Sequence, residues 1–189
     1  MQKRIVDKVE SQVIAAIQDP DRIEKAKVSE ANVAFLLTGD LLSIKDYVQT
    51  LQQANMYVFI HLDFIEGISN DKSAITYVAK EWRPDGIITT KNHLIKTAKE
   101  QGLMTIQRIF LLDQTAFNRG IDMIRQCQPD AVEVLPGLMP RVIYELTEMT
   151  QTPVIAGGLI REEHEVKEAL KAGALAVSVG NPSLWSIGL

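Results

Sequence analysis

The chain has 189 residues, 46% hydrophobic and 23% charged, with a net charge of −4. That length suits one domain burying roughly 70% of its unfolded surface, and the acidic balance excludes a broadly basic nucleic-acid surface while permitting a local patch. No apolar run approaches the roughly 20 residues that span a bilayer. The amphipathic start MQKRIVDKVESQ lacks a signal-peptide core, and the lone Cys127 excludes an internal disulfide or a cysteine metal cluster. A cytoplasmic protein is expected.

Residues 2–18 have helical spacing, with Ile5, Val9, Val13, Ala16 and Ile17 on one face. Asp19-Pro20 breaks that helix, and residues 21–28 add a further turn or two. From Asn32 the pattern becomes regular. An apolar strand, VAFLL, ends at Thr38-Gly39-Asp40, and Ser43 is placed to cap a helix running to Gln53. Further strands are predicted at 56–63, 86–90, 104–110, 131–135, 153–156 and 174–179. Helices are predicted at 71–82, 92–101, 140–149 and 161–172, with another ending at Cys127 and capped by Asp113 or Thr115. Pro84-Asp85, Gly102, Pro129-Asp130 and Gly173 punctuate the series.

Strands that are mostly continuous apolar runs are buried on both faces, as parallel strands are. On alternation alone an open doubly wound sheet fits as well as a barrel. The last two strands tip the reading to an α/β fold, a compact TIM-like parallel β/α barrel of about seven strands. It forms a single domain over residues 1–189, with an N-terminal helical extension over 1–30. Counted as strands seven and eight of an ordinary barrel, that final pair leaves one earlier strand missing, and the N-terminal helix fills the gap.

What distinguishes the last two strands is glycine. Gly157-Gly158 ends one, Gly180 ends the other, and Asn181-Pro182-Ser183 opens a short helix. Without a Cβ, backbone at Gly157, Gly158 and Gly180, with Asn181 beside it, can approach a bound anion directly. A tight turn alone explains one glycine pair. Two glycine turns on consecutive strands indicate a phosphate site.

His61, Asp63, Lys91, Arg108 and Glu133 stand at C-terminal strand ends, where barrels place their functional groups. Buried unpaired, each would cost several kcal/mol, so each asks for a partner. His61 and Asp63 are two apart and share a strand face. No third residue is spaced to make them metal ligands, and no metal or cofactor is expected. Asp63 accepts from ligand hydroxyls or from Lys91. Arg108 has two open readings, a ligand contact or an ion pair with Glu133, and Lys91 admits a Schiff base, as in barrel aldolases. The basic residues Lys3, Arg4, Lys8, Arg22, Lys25 and Lys27 are the candidates for a local nucleic-acid-binding patch, and read first as a solvated helix face.

The segments FIHLDFIEGIS, DGIITTKNHLIKTAKEQGL, TIQRIFLLD, PDAVEVLPGLMP and PVIAGGLIREEHEVKEALKAGALAVSVGNPSLW resemble the glycerol uptake operon antiterminator regulatory proteins of bacteria. These are glycerol-3-phosphate-responsive antiterminators, and the resemblance runs in order over residues 30–187. It implies a TIM-like barrel and a cytoplasmic regulator without catalytic residues. Its effector would be glycerol-3-phosphate, and its partner the leader of a nascent messenger RNA, bound so that a terminator hairpin does not form. RNA-reading regulators are often dimeric, which makes a homodimer through the N-terminal helix a further expectation. The residues themselves also admit an aldolase or isomerase acting on a triose phosphate, with Lys91 or the Asp63 and Glu133 carboxylates as acid and base.

Overall fold

The computed structural model describes residues 4–188. A parallel sheet closes on itself in chain order: β1 (Val13–Ile17), β2 (Val33–Leu36), β3 (Tyr57–His61), β4 (Gly86–Thr89), β5 (Met104–Phe110), β6 (Ala131–Leu135), β7 (Val154–Gly157) and β8 (Ala176–Val179). The helices between them are α1 (Ile23–Lys27), α2 (Ile44–Gln53), α3 (Lys72–Tyr77), α4 (Asn92–Glu100), α5 (Gln114–Cys127), α6 (Pro140–Met149) and α7 (Glu163–Lys171). No described helix is long and apolar enough to cross a membrane.

The parallel barrel is as expected, with eight strands where about seven were counted. The additional one, β1, lies inside the segment read as helix. Its five residues, VIAAI, are all buried, as a strand covered on both faces must be. The helical spacing upstream joins two unlike pieces. Ile5–Asp7 is a single 3-10 turn, and Gln12 takes a φ of 57° that redirects the chain into the strand. The deciding force is tertiary, because β1 pairs with β2 on one side and β8 on the other. The N-terminal extension therefore holds a strand, a 3-10 turn at Pro20–Arg22 and the short α1.

Successive strand residues point alternately into the barrel and out toward the helices. Ile14, Phe35, Phe59, Ile106, Ala131, Ile155 and Ala176 belong to the interior cluster, which Ile5 joins from the N-terminal segment. Ala15, Ala34, Ile60, Val132 and Val177 pack in the outer one. Continued two residues at a time, the inward parity places His61, Arg108, Glu133, Gly157 and Ser178 at the C-terminal mouth, and Gly180 after them. At the opposite end Lys8 Nζ donates to Tyr57 Oη at 3.0 Å and lies 4.6 Å over the same ring.

The interior is filled to its limit at Gly86, which lies in register between Phe59 and Met104. A Cβ there would stand 2.5 Å from the Met104 carbonyl oxygen and 2.5 Å from Phe59 Cε1. Gly86→Ala is expected to destabilise the protein by about 2–3 kcal/mol through overpacking, measured by urea denaturation.

Local signals place the helix starts. Asp71 and Asp113 accept from Ala74 N and Ala116 N as N-caps. Ser43 does not cap α2. The Asp40 carboxylate takes the amides of Leu42 and Ser43 instead, together with the Ser43 hydroxyl.

Candidate functional site

A cavity of about 470 Å³ opens at the C-terminal mouth, between the ends of β1, β5, β6, β7 and β8. Its floor is the Glu133 carboxylate, 1% exposed, which accepts from Arg108 Nε at 2.6 Å and from Ser178 Oγ at 2.7 Å. Arg108 and Glu133 are register partners across β5 and β6, so the sheet itself holds the pair together. Only Nε of Arg108 is spent on Glu133. The terminal guanidinium nitrogens make no hydrogen bond among the described residues, and Arg108 lines the cavity. The ion-pair reading of Arg108 is the one the structure shows. Glu133 fixes one edge of the guanidinium, and Arg108 also lines the cavity.

The walls come from the ends of β7 and β8. Gly158 and Leu159 both take positive φ, 76° and 64°, which turns the chain sharply away from β7. A positive φ at leucine is a strained conformation of the kind found at binding sites. The amides of Gly158, Leu159, Gly180 and Asn181 have no hydrogen-bond partner among the described residues, and all four residues line the cavity. The start of α7 is closed to a ligand, because Glu165 Oε2 already accepts from Arg161 N and Glu162 N. Two further guanidiniums, Arg22 and Arg161, also line the cavity, and Arg22 Nη1 donates to the Gly180 carbonyl at 2.6 Å. Three arginines therefore stand against one carboxylate around the cavity, with unpartnered amides between them.

A family model described as glycerol-3-phosphate responsive antiterminator matches residues 13–185, nearly the whole chain. The chain belongs to that antiterminator family. A glycerol uptake operon antiterminator regulatory protein from Listeria monocytogenes is 35% identical with a TM-score of 0.88, covering 92% of this chain and 94% of its own. A glycerol uptake operon antiterminator-related protein from Thermotoga maritima is 37% identical with a TM-score of 0.82, covering 92% and 96%. The YgcP protein of Escherichia coli K12 is 36% identical over 175 residues, 93% of this chain and 92% of its own.

In this antiterminator the predicted site residues fall into two groups. Gly158, Gly180, Asn181, Arg108 and Glu133 line the cavity. Gly157 does not, and its lack of a side chain serves packing: a Cβ would stand 2.5 Å from Ser178 Oγ and 2.7 Å from Glu133 Oε1. The second group lies across the mouth. Asp63 accepts from Lys91 Nζ at 2.7 Å and from Thr90 N and Oγ1. Asn70, with its amide nitrogen turned toward Asp63, bridges both partners. Burial pushes the Asp63 carboxyl up, but these hydrogen bonds outweigh it and hold the group below its ordinary range. The Lys91 nitrogen is thus engaged in tying the loop after β3 to the loop after β4, and neither Asp63 nor Lys91 lines the cavity.

Sequence reading missed Arg22, Arg161 and Ser178 as site residues. Ser178 was legible in principle, as a hydroxyl two residues before Gly180 in an apolar strand. Of the basic residues first read as a solvated face, Lys3 lies outside the described residues. Lys8 is engaged by Tyr57, Lys27 by Glu24, and Arg22 turns into the site.

His61 is 1% exposed, and neither of its ring nitrogens has a hydrogen-bond partner among the described residues. Burial first, and the Arg108 cation next, hold its pKa at about 3, against 6.5 ordinarily. The unfolded chain therefore takes up a proton at a pH where the folded one does not, and stability falls as pH drops through that window. Between pH 7 and 5 the expected loss is about 2 kcal/mol at most. Urea denaturation at the two pH values checks it, and His61→Leu should flatten the difference.

Proposed function

We propose that this antiterminator binds glycerol-3-phosphate in the mouth cavity and, so loaded, holds a leader transcript against formation of its terminator. The supporting observation is the cavity itself, where free amides at the ends of β7 and β8 face the same space as Arg22, Arg108 and Arg161. The phosphate sits on the amides of Gly158, Gly180 and Asn181, with Arg22 and Arg108 closing on its oxygens. His61, Asp63 and Lys91 belong to the half of the mouth that receives or frames the carbon chain. The setting is cytoplasmic, with RNA as the macromolecular partner and a second copy of the chain as an expected neighbour.

Two observations favour a regulator over an aldolase or isomerase. The Asp63 and Glu133 carboxylates both already accept from a cation, and Lys91 points its nitrogen at Asp63 and Asn70. Neither arrangement leaves Asp63, Glu133 or Lys91 free to act as acid, base or amine. The effector contributes by linkage. If it raises RNA affinity, RNA must tighten effector binding by the same factor, typically about 1–3 kcal/mol.

Calorimetric titration with glycerol-3-phosphate, glycerol and inorganic phosphate tests the effector, which should bind well ahead of both fragments. Gel-shift titration of leader RNA with and without it, across a range of salt, tests the coupling. Equal RNA affinity in both conditions would remove the switch, and turnover of triose phosphates would revive the enzyme.

A further inference from the structure

We propose that His61 reads a neutral hydroxyl on the effector's carbon chain, which makes that end of the site selective for an alcohol over a second anion. The inference rests on the effector reading above and adds the chemistry of the end opposite the phosphate.

His61 is the anomaly among the inward polar residues. Arg108, Glu133 and Ser178 satisfy one another, whereas His61 is buried with both ring nitrogens unpartnered. A buried group left so is rare and costly, and it calls for a partner the free protein does not contain. The imidazole does not itself line the cavity but lies beside it. His61 follows Ile60, the register partner of Leu36, and Leu37, just past the end of β2, lines the cavity. On its other side the Phe64 ring packs edge-on, with centroids 4.6 Å apart, and the same ring lies 5.8 Å from the Arg108 guanidinium carbon. One phenyl ring, 49% exposed on a loop, separates the imidazole from a cavity-lining cation.

The surroundings select the chemistry. A neutral imidazole offers one donor and one acceptor, and a hydroxyl matches both. The depressed pKa keeps it in that form. A carboxylate or second phosphate would face a neutral imidazole and the Asp63 carboxylate, whose Oδ2 is 3.7 Å from His61 Nδ1 and which already holds Lys91.

The test measures dissociation constants for glycerol-3-phosphate, 3-phosphoglycerate and inorganic phosphate on the wild type, His61→Leu and His61→Gln. Wild type should prefer glycerol-3-phosphate to 3-phosphoglycerate at least tenfold. His61→Leu should lose about tenfold for glycerol-3-phosphate, keep its phosphate affinity within twofold, and melt higher, since an unpartnered polar group has become apolar. His61→Gln, which keeps a donor and an acceptor, should recover part of the loss. Equal losses for both ligands, or none, would overturn the assignment while leaving the effector reading intact. A wild type that binds neither phosphate nor glycerol-3-phosphate would end both.

Discussion

Glu133→Ala is expected to lose about 3–5 kcal/mol of folding stability at pH 7, read from urea denaturation. The carboxylate is the sole hydrogen-bond partner of Arg108 Nε and of Ser178 Oγ among the described residues. Its removal leaves a guanidinium that is 7% exposed without a counter-ion, and a buried hydroxyl without an acceptor. For a chain of this length the melting temperature should fall by roughly 10 °C. The double variant Arg108→Met/Glu133→Leu should recover most of that loss, because no unpaired charge remains, yet it should no longer bind the effector. The contrast would show that the pair is retained for the way it aims the guanidinium. A loss under about 1 kcal/mol in Glu133→Ala would mean that water reaches the pair, as at a surface ion pair.

Gly180→Val is expected to weaken glycerol-3-phosphate binding at least about a hundredfold, equivalent to about 2.7 kcal/mol, while the fold survives. A Cβ at Gly180 meets nothing closer than Gln18 Oε1 at 3.8 Å and the Ala16 carbonyl at 3.9 Å. By strand parity the added methyls project into the mouth, where they would hold an anion off the Gly180 and Asn181 amides. Two charge-assisted hydrogen bonds lost at about 1.5–3 kcal/mol each account for the effect. Gly158 and Gly157 are poorer targets. The first needs its φ of 76°, and a side chain at the second collides with Ser178 and Glu133. Calorimetry measures the affinity and thermal melting the fold. An unchanged dissociation constant would move the phosphate across the mouth, toward Lys91.

The barrel was legible because seven of its strands are apolar runs bounded by glycine, proline or aspartate, and such punctuation is local. β1 was not, because VIAAI follows a stretch whose apolar residues happen to fall at helical intervals, and pairing with β2 and β8 overrides that pattern. Gly158 and Gly180, which line the cavity, were legible for the same local reason. Arg22 escaped because it meets Gly180 across 158 residues of sequence. The opposite error befell Gly157: a missing side chain reads the same whether it makes room for a ligand or for Glu133.

Closure of the sheet by its first and last strands has a consequence for synthesis. Until β8 emerges, the growing chain carries two unsatisfied sheet edges, β1 at one end and the newest strand at the other, and such edges invite pairing with other chains. The proposed anion cradle matures at the same late moment, since it needs Gly158 and Gly180 from the end of the chain together with Arg22 from its beginning. A nascent or C-terminally truncated chain therefore lacks the complete cavity wall. On the proposed effector reading, only the finished, closed molecule can respond to glycerol-3-phosphate.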